Sequence, residues 1–278
     1  MGDVGNLVPL TNLYVMVSIF SRKRKYNDLS WMQVDIHNHL LPGIDDGSAS
    51  VAQSMELLTT LTSLGISQFI ATPHICDSLY PNDKASIQCA WENMLRDTDL
   101  PTNRLRYAAE YMATEELLKS ICNPSLPLLC LPGGYMLIEM TRSKPSPFIQ
   151  EIIQKLINRG ITPIIAHPER YNYCQQNTSL LKTCKDMGCL LQVDLLSCYG
   201  YYGPLGRNTV QYLAGKGMVD LVGTNVHDSR HGKAIAHYLR KEDVSVFFAD
   251  KLRNEEFLLD PNSEEALRSN MFIHNYGA

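Results

Sequence analysis

The chain has 278 residues, 45% of them hydrophobic and 19% charged, with a formal net charge of -4. That length and balance suit a soluble globular protein with a large core, read as one α/β domain over residues 32–278 behind a leader at residues 1–31. The slight acidity, without a basic face interleaved with aromatics, excludes nucleic acid as an expected partner.

The leader carries a fairly apolar run at residues 7–20, too short to span a bilayer. Its basic run, residues 22–25, follows the apolar part, whereas a secretory signal has its charges first. A start at Met16 would leave a short basic leader, whose contact with an anionic membrane would be weak at most.

From residue 32 onward, short apolar runs alternate with helical patterns, as in a parallel βα array. A strand at 32–36 precedes a helix at 51–64. In that helix Met55, Leu58, Leu61 and Leu64 recur at helical spacing, with capping residues before it and Gly65 after it. A strand at 68–72 runs into Pro73-His74, and a helix follows at 84–96. The third strand, 104–109, ends in Glu110 and leads to a short helix at 114–119. The fourth, 135–138, ends in Glu139, ahead of a helix at 148–158 stopped by Gly160.

The fifth strand, 162–166, runs into His167-Pro168-Glu169-Arg170. A helix at 180–187 and a strand at 189–193 follow, then Asp194. A helix at 204–216 and a seventh strand at 218–223 complete the array, with Asn225-Val226-His227 just beyond. The polar region after residue 240 suits terminal helices or an oligomer contact.

The chemistry-bearing residues gather at one kind of place. His37 and His39 lie two apart at the end of the first strand, where both imidazoles can face one ion. Pro42 and Gly43 turn the chain, and Asp45 and Asp46 return carboxylates to the same end. His74, Glu110, Glu139, His167, Asn225 and His227 also fall at or just after strand ends. In a parallel barrel those ends share the face that carries active sites. Mixed imidazole and carboxylate groups point to a metal site for Mn, Fe or Zn, not to a soft thiolate site. The 8 cysteines form no Cys-x-x-Cys pair, and none is followed six residues later by arginine. They are therefore expected to be reduced cytosolic thiols, mostly buried, and no cysteine-dependent phosphatase loop is present.

The motifs Asp-Ile-His-Asn-His, Thr-Pro-His, Ala-Glu-Tyr, Ile-Glu-Met, Ala-His-Pro-Glu-Arg-Tyr and Gly-Thr-Asn-Val-His resemble those of the PHP (polymerase and histidinol phosphatase) superfamily. Leu-Pro-Gly-Ile-Asp-Asp-Gly and His-Pro-Glu-Arg-Tyr look like its branch of bacterial manganese-dependent protein-tyrosine phosphatases of capsule and exopolysaccharide synthesis. The resemblance runs from about residue 32 to about residue 239. It implies a distorted (β/α)7 TIM-like barrel with three metal ions, manganese first. His37, His39, Glu110 and residue 225 would hold one ion, Glu110, Glu139 and His167 a second, and Asp46, His74 and His227 a third. The family has aspartate where this chain has Asn225, whose amide offers a neutral oxygen in place of a charged one. Natural tolerance, an inactivating change that traps substrate and a degenerate phosphate binder all fit that departure.

Arg170 and Arg230 each follow a ligand histidine by three residues and carry forked donors suited to phosphate. Asp228 and His231 are candidates for a general acid. Tyr80, Tyr111, Tyr171, Tyr199, Tyr201 and Tyr202 fall in loops that would line an open mouth. The implied substrate is phosphotyrosine on the tail of a membrane-bound bacterial kinase, with the phosphatase cytoplasmic and membrane-associated through that partner. A histidinol phosphatase and a phosphotyrosine binder are the alternatives.

Overall fold

A computed structural model describes residues 26–98, 100–101, 104–248 and 252–259. Met16, the basic run at 22–25 and the tail from residue 260 lie outside the described residues.

Among the described residues nine short strands carry the seven predicted ones: β1 (Val34–Asp35), β2 (Gln68–Ala71), β3 (His74–Ile75), β4 (Leu105–Tyr107), β5 (Glu110–Met112), β6 (Tyr135–Glu139), β7 (Thr162–Ala166), β8 (Leu190–Asp194) and β9 (Leu221–Gly223). The second and third predicted strands, 68–72 and 104–109, form β2 and β4, and each is followed after a short break by a further strand, β3 and β5. Pro73 has no N–H to give, so the ladder stops between β2 and β3 and resumes at His74. Its carbonyl still accepts Glu110 N at 3.1 Å, which starts β5 alongside β3.

Every pairing between these nine strands is parallel, in the orders β1-β2-β4 and β3-β5-β6-β7-β8-β9. Side chains bridge the seam between β1 and β9. Asn254 donates to Val34 O (3.1 Å) and Val222 O (2.7 Å) and accepts Val222 N (3.0 Å). Asp35 accepts the backbone N–H and the hydroxyl of Thr224 at 2.9 and 2.5 Å. Beyond them, Asn225 N reaches His37 O (2.7 Å) and His39 N reaches Val226 O (3.0 Å), so the last strand's exit is tied to the first strand's exit.

Helices α1 (Val51–Ser63), α2 (Lys84–Arg96), α3 (Glu115–Cys122), α4 (Ile149–Asn158), α5 (Asn172–Gln176), α6 (Ser179–Asp186), α7 (Leu195–Tyr199), α8 (Pro204–Gly215) and α9 (Ser229–Leu239) fill the connections. Alternation along the strands makes two cores. Met136, Ile138 and Ile165 pack with the helices, whereas Leu137, Ile164 and Ala166 join Val34, Ile36, Ile70 and Leu221 in a separate inner cluster. The inner cluster fills the barrel and leaves the strand exits for polar groups. Five of the eight cysteines are buried and all are free thiols.

The packed chain begins before residue 32. Leu29 is fully buried, its N–H donates to Leu64 O at 2.6 Å, and Trp31 stacks on Phe248 at 5.9 Å. Within residues 26–31, Leu29 and Trp31 thus contact the rest of the fold while Asn27, Asp28 and Ser30 are exposed. Among the described residues no helix is long and apolar enough to cross a membrane.

Buried Tyr171 clips two strand exits together. Its hydroxyl donates to Ala166 O at 2.8 Å, beside β7, and accepts Met140 N at 2.9 Å, after β6. Tyr171→Phe leaves the Met140 N–H buried without its partner and is expected to cost about 1–3 kcal/mol. Urea denaturation of the two proteins measures this directly.

Candidate metal centre

The strand exits bring His37, His39, Asp46, His74, Glu110, Glu139, His167 and His227 into one cluster. Their ligand atoms form three overlapping groups, each within 4.8 Å: His39, Asp46, His74 and His227; His37, Glu110 and His167; His74, Glu110 and Glu139. Strand register sets the centre, because β3 pairs with β5 so that His74 sits beside Glu110. Glu110 Oε2 faces His37 Nε2 (3.2 Å), His39 Nε2 (3.5 Å) and His74 Nδ1 (3.2 Å), and its Oε1 faces His167 Nε2 (2.9 Å). Glu139 Oε1 lies 2.9 Å from His74 Nδ1. Asp46 Oδ1 lies 3.4 Å from His74 Nε2 and 3.5 Å from His227 Nε2.

This grouping differs from the one implied by resemblance. His39 falls with Asp46, His74 and His227, and its ring stacks on His227 at 3.9 Å. His167 falls with His37, and Glu139 with His74. Glu110 is shared between two groups, and His74 also joins two.

Three histidines are oriented from behind. His37 Nδ1 meets Gln192 Oε1 at 2.7 Å, His39 Nδ1 meets Asp45 Oδ2 at 2.7 Å, and His227 Nδ1 meets Asn225 O at 3.0 Å. Each partner is an acceptor, so Nδ1 holds the proton and Nε2 keeps its lone pair for the cluster. Gln192 is fixed in that sense because its Nε2 donates to Val193 O at 2.7 Å. Asp45 also accepts Gly47 N (2.9 Å) and His74 N (3.1 Å), tying the turn to β3. Of the two adjacent aspartates, Asp45 thus supports His39 while Asp46 faces His74 and His227.

Electrostatics follow from burial and crowding. Burial would raise the Glu110 carboxyl, but His37 and His74 hold it well below the usual range. Burial would lower His74, but Glu110, Asp46 and Glu139 push it up to about 12. Burial, with His227 beside it, takes His39 down to about 3 and leaves that imidazole neutral. The donor set also contains buried atoms without a hydrogen bond: His37 Nε2, His39 Nε2, His74 Nδ1, Glu110 Oε2 and Asn225 Oδ1. Buried polar atoms are normally satisfied. The lone pairs of His37 and His39 and the oxygens of Glu110 and Asn225 fit hard to borderline divalent cations, and His74 would join them on giving up its proton to a bound ion.

The two arginines separate. Arg170 is largely buried, donates to Asp194 Oδ2 at 3.2 Å and lies 4.2 Å from the Tyr202 ring centroid. Arg142, unremarked in the sequence, is close enough to Arg170 that the like charge lowers its own affinity for a proton. Arg230 is exposed, and its guanidinium forks onto Asp228. That pair also holds the Asp228 carboxyl down to about 2, which makes it a poor proton donor. His231 Nδ1 accepts His227 N at 3.1 Å, so its proton is on Nε2.

The six candidate mouth tyrosines also divide. Tyr111, Tyr171 and Tyr199 are buried packing residues, whereas Tyr80 stacks on His74 and Tyr201 and Tyr202 set their rings edge-on to His231.

Residues 33–240 match the family model described as capsular polysaccharide synthesis, CpsB/CapC. The chain belongs to the CpsB/CapC family. It is 28% identical over 243 residues to the tyrosine-protein phosphatase YwqE of Bacillus subtilis, covering 85% of this chain and 92% of that protein. It is 26% identical over 209 residues to the tyrosine-protein phosphatase CpsB of Streptococcus pneumoniae, covering 71% and 84%. A crystal structure from a study of YwqE and CpsB, described as unique metal-dependent tyrosine phosphatases, superposes with a TM-score of 0.68 at 25% identity. The match spans 81% of this chain and 94% of the solved one. This parallel α/β architecture is therefore that of the family's phosphatases.

Proposed function

We propose that this CpsB/CapC member is a metal-dependent protein-tyrosine phosphatase acting on the phosphotyrosine tail of a bacterial kinase that controls capsular or exopolysaccharide synthesis. The observation that carries the reading is the convergence on Glu110 of four histidines with buried, unsatisfied nitrogens and carboxylates around them. Residues 32–278 form the phosphatase domain in this reading, with the protein cytoplasmic and brought to the membrane by its substrate.

His37, His39, Asp46, His74, Glu110, Glu139, His167, Asn225 and His227 would hold the ions, manganese being the first choice and iron or zinc the others. Bound dications bring the pKa of water toward neutrality and neutralise phosphoryl oxygens. The protein's own groups do the rest. Gln192, Asp45 and the Asn225 carbonyl hold three imidazoles in one tautomer. Arg170 presents forked donors for the phosphoryl group, steadied by Asp194 and Tyr202. Tyr201 and Tyr202 offer rings against which a phenol can lie. His231 keeps an Nε2 proton for the departing oxygen, and a phenol of pKa ~10 needs less help than an aliphatic alcohol.

The substrate is tested by phosphate release with Mn2+ from a tyrosine-phosphorylated tail peptide and from histidinol phosphate. The peptide is expected to lead in kcat/KM by at least about tenfold. Faster turnover of histidinol phosphate would overturn the substrate assignment, and tight peptide binding without release would make the protein a binder.

The arginines supply a second test. Arg170→Ala is expected to lower kcat/KM by about 10- to 100-fold, the worth of a charge-assisted hydrogen bond to phosphate. Arg230→Ala should stay within about threefold of the parent, because an exposed ion pair contributes little. Steady-state kinetics on the peptide reads both.

A further inference from the structure

Asn225 has a side-chain partner 31 positions away in sequence. Asn225 sits in the left-handed region, φ 48°, which asparagine and aspartate tolerate better than most residues. Its Nδ2 donates to Asp194 Oδ2 at 3.2 Å, while Oδ1 is buried with no hydrogen bond. An acceptor behind the amide thus determines which end is free. Asp194 is itself fully buried at the exit of β8. Its Oδ1 accepts Leu196 N at 2.7 Å, capping α7, and its Oδ2 also takes Arg170 Nη1 at 3.2 Å. The Glu169 side chain secures the Asp194 backbone by accepting its N–H at 3.0 Å.

We propose that Asp194 is a positioning residue of the metal centre, holding the Asn225 amide with Oδ1 as the ligand atom and supplying, one hydrogen bond away, the negative charge that a carboxylate at 225 would have contributed. The inference rests on the metal-centre reading above. Carboxylates behind a ligand orient it and strengthen it as a donor, and their loss weakens metal affinity by about 10- to 100-fold. The pair makes amide and carboxylate a matched unit. A carboxylate at 225 alone would face the Asp194 carboxylate across the gap now spanned by a hydrogen bond, a buried like-charge contact. Exchanging the two groups, with amide at 194 and carboxylate at 225, keeps one charge and one hydrogen bond between them and gives up the contact of Asp194 with Arg170.

The test is Mn2+ affinity of the full chain, by calorimetry in the absence of substrate, together with thermal stability of the metal-free protein. Asp194→Asn retains a capping side chain for α7 and is expected to weaken Mn2+ by about 10- to 100-fold. Asn225→Asp alone is expected to lower the metal-free Tm without tightening Mn2+. The double variant Asp194→Asn with Asn225→Asp is expected to recover Mn2+ affinity to near the parent, with the metal-free Tm above that of Asn225→Asp but below the parent, because Arg170 loses its carboxylate partner.

Arg170→Gln separates charge from scaffolding. It removes the cation that shares Asp194, so Mn2+ affinity should hold or rise, whereas a merely structural loop would bind more weakly. Unchanged affinity in Asp194→Asn, tighter Mn2+ with unchanged Tm in Asn225→Asp, or weaker Mn2+ in Arg170→Gln would each overturn the proposal. A parent protein that binds no Mn2+ would instead overturn the metal-centre reading beneath it.

Discussion

Glu110→Gln is expected to abolish Mn2+ loading of the centre and to lower phosphate release by about 1,000-fold or more. The substitution keeps the volume and removes the charge. Glu110 is fully buried, and four imidazole nitrogens lie within 2.9 to 3.5 Å of its two oxygens. An amide would turn N–H donors onto the imidazole lone pairs that face Glu110, occupying them, and would lose a ligand charge shared by two groups of the cluster. Several kcal/mol of charge stabilisation disappear, and each 1.4 kcal/mol is about tenfold in rate. Metal content after dialysis and phosphate release from a phosphotyrosine peptide read the two effects. Turnover within about tenfold of the parent would show that Glu110 is not the centre of the site.

Gly223→Ala is expected to displace His37 and to destabilise the fold by about 1–3 kcal/mol, the range for overpacking a filled core. A methyl group at Gly223 would lie 2.5 Å from His37 Cβ and 2.8 Å from Gln192 Nε2. Both neighbours are fixed: His37 is buried between Gln192 and Glu110, and Gln192 is pinned to Val193 O. The backbone conformation is ordinary at this residue, so the loss comes from space alone. Because the side chain displaced belongs to the centre, Mn2+ affinity should fall with stability. Gly215→Ala is the matched control. Nothing lies within 4 Å of a methyl group there, at the end of α8, and the change should stabilise by up to about 1 kcal/mol. Equal Tm values for the Gly223 variant and the parent would mean that the close approach to His37 is not real.

The seven strand positions could be read because apolar runs bounded by turn residues repeat, and the cluster could be read because its members stand at the ends of those runs. What escaped depends on contacts between distant segments. Asp45 and Asp46 are adjacent and chemically identical, and only the turn through Gly47 decides that Asp45 backs His39 while Asp46 faces His74. Gln192 reads as a polar residue in a buried strand, and its bond to His37 crosses 155 residues. Arg170 and Arg230 have the same spacing from a histidine, yet the cap of α9 turns Arg230 outward onto Asp228. Tyr111 and Tyr171 look like loop residues until their hydroxyls are found clamping backbone N–H groups of Leu129 and Met140. The breaks in two strands are local events around Pro73 that strand periodicity does not register.

Stripping the protein with a chelator and restoring Mn2+ in measured steps, while following phosphate release from a tyrosine-phosphorylated tail peptide, tests the metal centre most directly. The stripped protein is expected to release no phosphate and to recover in proportion to the Mn2+ bound. Undiminished release after the metal is gone would contradict the metal-centre reading, because the cluster around Glu110 would then not be what hydrolyses the ester.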